Sequence, residues 1–104
     1  MKILYNYIEN DELKNNAHYS YTENSGVINI TKKSDENFSL LVMKIGNIFF
    51  IETNDIELRT QVFKKICEDY LDLLKNGYKF TVNGYQIFNN NLSKFKKQIN
   101  YEQI

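Results

Sequence analysis

His18 is the only histidine of the chain and Cys67 the only cysteine. A structural zinc site draws on about four such ligands, so the sequence holds no recognisable one. A Cys/His nucleophile pair would need an activated thiol, and nothing next to Cys67 supplies the activation. Cys67 falls on an apolar helical stripe, where cysteine acts as a small hydrophobe; His18 reads as an ordinary surface residue of a strand. Glu9, Asp11 and Glu12 form an acidic cluster that could attract a hard cation, but it lacks the glycine and regular oxygen spacing of a calcium loop. It reads as a solvated turn. Asp69 and Asp72 lie on the polar side of a helix, where Asp72 can pair with Lys75. Gly26, Gly46, Gly77 and Gly84 are dispersed, each at a turn or cap, so no phosphate-binding loop exists. The expectation is a protein with no catalytic residue, no cofactor and no metal: not an enzyme.

Binding is the remaining chemistry, and tyrosines are its first candidates. Tyr5 and Tyr7 form one Tyr-x-Tyr pair, Tyr19 and Tyr21 another, and residues two apart on a strand share a face. Such pairs serve as core filler, as a stacking platform for bases, or as an anchor for a protein. Charge decides against the platform. Between Tyr5 and Asn24 only Lys14 stands against Glu9, Asp11, Glu12 and Glu23, whereas stacking surfaces for nucleic acid lie in basic grooves. Half-buried sheet packing and a protein-binding face remain open for these rings. Arg59 falls inside the apolar stripe of the long helix. Its stem either covers apolar surface while the head escapes at the sheet edge, or the side chain anchors a partner. Positive charge gathers elsewhere: residues 78–104 sum to +3, against −2 for 1–53 and −1 for 54–77. Lys79, Lys94, Lys96 and Lys97, with Tyr78 and Tyr85 nearby, are the residues a nucleic-acid contact would use.

The elements that must position these residues are legible from periodicity. Lys2–Glu9 alternates as a strand, Asp11–Asn16 is a polar turn, and His18–Thr22 is a strand followed by a turn at 23–26. Val27–Lys32 returns, and a polar connection covers 33–37. "FSLLVMKI" and "IFFIET" flank Gly46-Asn47, which fits a two-residue primed turn. That register sets Ile45 against Ile48, Met43 against Phe50 and Leu41 against Glu52. Leu40, Val42, Phe49 and Ile51 share the other face, so the hairpin is apolar on both sides and calls for cover on both. Asn54–Asn76 reads as one helix with an Asn54/Glu57 capping box and Gly77 as left-handed cap. "YKFTVNGYQIF" is a hairpin around Asn83-Gly84, with Val82 opposing Tyr85. Leu92, Phe95 and Ile99 mark a short amphipathic helix whose exposed side carries Lys94, Lys96 and Lys97.

The fold class that follows is α+β: an antiparallel β-meander packed by one long α-helix, then a C-terminal β-hairpin and short helix. The 104 residues suit a single domain, 1–104. An apolar fraction of 42% and a charged fraction of 25% are those of a globular protein. No apolar run is long enough to span a bilayer, polar residues follow Met1 too early for a secretory signal, and one cysteine gives no internal disulfide. A cytoplasmic location is expected. Abundant Asn, Lys, Ile and Tyr with no Pro or Trp follow AT-rich codons, as in a low-GC bacterium, one of its phages or plasmids, or an AT-rich parasite. The functional expectation is a small non-enzymatic protein-interaction module, concretely a phage- or mobile-element-encoded inhibitor of a host or defence complex. The alternative is nucleic-acid binding through the basic C-terminal segment. Surplus apolar strand surface further suggests a homodimer.

Overall fold

Short primed turns and one capped helix determine how the chain travels. The structure is a computed structural model that describes residues 19–24, 27–32 and 34–103. The expected strand over Lys2–Glu9, with Tyr5 and Tyr7, lies outside the described residues, as do the acidic cluster and His18.

Strands β1 (Tyr19–Asn24), β2 (Val27–Lys32), β3 (Asp35–Ile45), β4 (Ile48–Thr53), β5 (Lys79–Val82) and β6 (Tyr85–Ile87) form one sheet in sequence order. Every neighbouring pair is antiparallel except β4 and β5, which run parallel. A parallel pair needs a crossover, supplied by α1 (Ile56–Asp69) and α2 (Leu71–Lys75). A short helix α3 (Leu92–Gln98) follows β6, flanked by 3₁₀ turns at Asn89–Asn91 and Tyr101–Gln103. This is the expected α+β class.

Both hairpin registers agree with the spacing argument. Ile45 pairs with Ile48, Met43 with Phe50 and Leu41 with Glu52, and Val82 pairs with Tyr85. The Asn83-Gly84 turn has φ of 48° and 86°, the double left-handed geometry of a type I′ turn that Asn-Gly tolerates best. Two boundaries differ. β1 runs on to Asn24, paired with Val27, into the range 23–26 expected as turn. β3 begins at Asp35, paired with Lys32, after a register shift between Ile30 and Lys32; the polar connection is therefore shorter than 33–37.

The long helix also differs in detail. Asp55, not Asn54, is the N-cap: its carboxylate accepts from the Leu58 N–H at 2.9 Å. Asn54 is withdrawn from capping because its side chain is engaged on β3. At Tyr70 the backbone leaves helical geometry (φ −112°, ψ 22°), dividing the expected helix into α1 and α2. In that conformation the Tyr70 ring stacks on Phe80 of β5, centroids 6.0 Å apart and 13° from parallel. Gly77 (φ 90°) caps α2 as expected. Tyr78 N–H reaches Leu73 O at 3.0 Å and Gly77 N–H reaches Leu74 O at 3.1 Å, the paired bonds of a Schellman cap.

The helices cover one face of the sheet. Ile30, Phe38, Leu40, Val42, Phe49, Ile51, Phe80, Val82 and Ile87 meet Leu58, Val62, Phe63, Ile66, Cys67, Tyr70, Leu74 and Phe95 in one buried cluster. Full burial of each large side chain contributes about 1.5–3 kcal/mol, and Phe80 and Phe95 are the largest that are fully enclosed.

Candidate functional site

The face of the sheet turned away from the helices carries an apolar patch. Along each strand alternate side chains point away from the core. Val27 of β2, Leu41, Met43 and Ile45 of β3, and Ile48 and Phe50 of β4 fall on that face, and pairing brings them side by side. Val27 lies opposite Met43 and Met43 opposite Phe50, a row across three strands. Five of the six are half-buried, and Ile45 at the hairpin tip is 57% exposed. None belongs to the core cluster or packs against it. Around them lie Asn29, Ser39, Glu52, Thr81, Gln86 and Lys79, all polar and none buried. An apolar centre with a polar rim is the anatomy of a protein interface. The two-sided apolarity of the β3–β4 hairpin was the signal for it in the sequence.

The ends and one edge of the sheet are closed by asparagine side chains acting as peptide groups. Asn83 accepts from the Thr53 N–H at 2.9 Å and donates to Thr53 O at 2.8 Å. Asn54 accepts from the Ser39 N–H at 2.9 Å and donates to Asn37 O. Asn91 accepts from the Phe88 N–H and donates to Gln86 O, both at 2.8 Å. A carboxamide has one acceptor and a donor pair in the geometry of a backbone amide, so each replaces a missing neighbouring strand. At Asn91 the consequence is that the Gln86 carbonyl of β6 and the N–H of Phe88 just beyond it are already occupied.

Beyond that edge, between the β5–β6 hairpin and α3, runs an open groove of about 940 Å³ lined by Tyr85, Phe88, Asn91, Lys94, Lys97 and Gln98, with Asn83, Gly84 and Gln86 at its end. Its charged lining is purely cationic. The four lysines singled out above separate here. Lys94 and Lys97 line the groove, Lys79 lies over the Phe88 ring at 5.7 Å, and Lys96 lies over Tyr101 at 4.9 Å. Lys96 is half-buried rather than on the exposed side with the other two. Tyr78 is engaged elsewhere, stacked on Phe49 at 5.7 Å with Lys44 over its ring.

Arg59 lies against the aromatic rings at the sheet edge, in line with the packing reading of its place in the stripe. It is half-buried, its guanidinium lies 5.7 Å from the Phe63 centroid and 5.9 Å from that of Tyr85 on the edge strand, and its buried Nε finds no hydrogen-bond acceptor among the described residues. The ring contacts make it part of the packing between α1 and β6. Tyr19 and Tyr21 stand on edge strand β1, paired with Lys32 and Ile30; they are not on the hairpin that carries most of the patch.

Cys67 is buried, and burial pushes its thiol above the ordinary range, with Lys96 opposing weakly. Tyr101 is likewise raised, by desolvation first and then by its hydrogen bond to the Glu68 carboxylate, Oη to Oε1 3.0 Å. Among the described residues no cluster of three or more His, Cys, Asp or Glu could hold a metal, and no helix is long and apolar enough to cross a membrane.

No protein-family model matches the chain, and no solved structure matches it. It is similar to the RecBCD enzyme subunit RecD of Buchnera aphidicola subsp. Acyrthosiphon pisum (strain APS), 34% identical over 79 residues that cover 71% of this chain. The chain spans only 13% of that protein's length. A stretch covering 71% of 104 residues includes the middle of the chain wherever it starts, and so takes in the β3–β4 hairpin and α1.

Proposed function

We propose that this chain is a non-enzymatic protein-interaction module that seats the open face of its sheet on another subunit of a larger assembly in the cytoplasm. The observation that carries this reading is the patch of Val27, Leu41, Met43, Ile45, Ile48 and Phe50, apolar and outside the core. Patches of this kind on a small protein are where partners dock. The similarity to a protein named as an enzyme subunit favours another subunit as the occupant, because the shared stretch includes the hairpin that bears most of the patch. The narrower version, an inhibitor encoded by a phage or mobile element, draws its support from a composition rich in Asn, Lys, Ile and Tyr, as AT-rich codons would give.

The test is capture of partners from nuclease-treated lysate of the native host by wild type and by a Met43→Lys/Phe50→Lys variant, with sedimentation of the purified chain alongside. A near-stoichiometric protein held by wild type and released by the variant is the expected result. Equal retention by both would overturn the reading. A wild-type homodimer that the two lysines dissociate would assign the patch to a second copy instead.

A further inference from the structure

The groove between β6 and α3 has a chemistry distinct from that of the open face. We propose that it binds single-stranded nucleic acid, with phosphates on Lys94 and Lys97 and an unpaired base against the wall formed by Tyr85 and Phe88. Four observations lead there.

The first is charge. Every charged side chain lining the groove is a lysine, in a C-terminal segment that sums to +3 within a neutral chain. Lys94 and Lys97 are three residues apart on α3, and that spacing makes them neighbours on one helix face. Two adjacent ammonium groups suit two consecutive phosphates of one strand better than a compact dianion. The second is the wall. Tyr85 and Phe88 offer aromatic surface beside the lysines, and base stacking on such rings requires a base that is not already stacked in a duplex. Lys79 over Phe88 places a third ammonium on the sheet side of the same ring.

The third counts against the competing occupant. A groove along a sheet edge ordinarily accepts an extended peptide by strand addition. Here the Asn91 carboxamide already holds Gln86 O and the Phe88 N–H at 2.8 Å each, and the Asn91 N–H holds Phe88 O at 3.1 Å, so these outward backbone groups are not free for a peptide strand. The fourth is size: about 940 Å³ lies at the upper end of small-ligand sites and leaves room for a nucleotide unit with open ends.

The experiment is fluorescence anisotropy of a labelled oligothymidylate titrated with the full chain at low salt and then at rising salt. Four proteins are compared: wild type, Lys94→Gln/Lys97→Gln, Lys96→Gln and Phe88→Leu. Lys96 is the internal control, having the same charge and helix but lying over Tyr101 outside the groove. Wild type should bind with a slope of log K against log salt between about −1.4 and −2.1, for two or three neutralised phosphates. The double variant should lose about tenfold or more in affinity, Lys96→Gln should stay within about twofold, and Phe88→Leu should weaken binding without changing the slope. The proposal is overturned by absence of wild-type binding at low salt, or by equal loss in Lys96→Gln and the double variant. Equal affinity for the duplex of the same length would overturn it as well, since stacking would then contribute nothing. Because Lys94 and Lys97 are exposed, coincident thermal unfolding curves should show that their substitution leaves the fold intact.

Discussion

A single asparagine carboxamide can do the work of a peptide group, and this chain uses that device at three strand termini. Hydrogen bonding accounts for what Asn54, Asn83 and Asn91 do. Thr53 is buried and depends on Asn83 for both its N–H and its carbonyl. Asn83→Ala leaves those two groups unpaired and forces alanine into φ 48°, so unfolding should become easier by roughly 2–3 kcal/mol. Asn54→Ala, at an exposed site, should cost about 1 kcal/mol or less. Denaturant midpoints of the two variants test that order, and a reversed ranking would show that the Asn83 pairing matters little. Cys67 and Tyr101 belong at this scale too. Both favour the protonated form in the folded state, so above about pH 9 the unfolded chain releases protons that the native chain retains. The stability they contribute is therefore complete at neutral pH and declines as pH rises through their folded values. Tyr101→Phe should flatten that alkaline decline while leaving stability near pH 7 within about 0.5–1.5 kcal/mol. A thiol reagent at pH 8 should label native Cys67 far more slowly than the unfolded chain.

At the scale of elements, the decisive features are terminations. The Schellman cap at Gly77 turns the chain from α2 straight into β5, with Asn47 Nδ2 donating to Gly77 O at 2.7 Å and the Lys79 N–H bonding to Asn47 O at 2.9 Å. That contact joins the β3–β4 turn to the start of β5 and so fixes the parallel pairing of β4 with β5. No atom lies within 4 Å of where a Gly77 Cβ would stand, so Gly77→Ala meets only the conformational penalty of φ 90°, about 1–2 kcal/mol. Thermal unfolding should show a loss of that size with unchanged helix content. A larger loss accompanied by altered circular dichroism would mean that the cap also governs strand pairing. The N-terminus of α1 illustrates competition between two adjacent side chains for one role. Asn54 and Asp55 could each cap it; the ladder at the end of β3 takes the amide, and the carboxylate is left to accept from Leu58.

For the whole molecule, the governing asymmetry is that all helices described here gather on one face of a sheet whose central hairpin is apolar on two. Helix packing satisfies Leu40, Val42, Phe49 and Ile51, and the same burial cannot extend to Met43 and Phe50 on the reverse side. Lysine at those two positions should leave the core unchanged and shift stability by about 1 kcal/mol or less, in the range of surface substitutions. It should also abolish the capture of a partner and raise solubility. If the double variant fails to fold, Met43 and Phe50 contribute to the core after all. Charge divides along the same axis. Cationic side chains collect around α3 and the β6 edge, and the apolar patch lies on β2–β4, with Lys79 and Gln86 at the border between the two.

The sequence by itself determined the hairpin registers, because Asn-Gly and Gly-Asn turns fix pairing locally and side chains alternate with a period of two. It likewise determined the apolar helix faces and the Gly77 stop, both consequences of local periodicity and of one residue's freedom at positive φ. It also named Lys94 and Lys97, though in company with Lys79 and Lys96. What only the tertiary structure decided depends on groups far apart in the chain. The parallel β4–β5 pairing, the break at Tyr70 against Phe80, the pairing of Asn83 with Thr53 and the parting of Lys96 from the groove are all of this kind. Each joins residues by contacts that no local pattern encodes, since hydrogen-bond and stacking partners are chosen by the three-dimensional approach of elements. The same holds for the open face. Alternation showed that the hairpin had two apolar sides, but which of them the helices would cover followed from where the crossover returned.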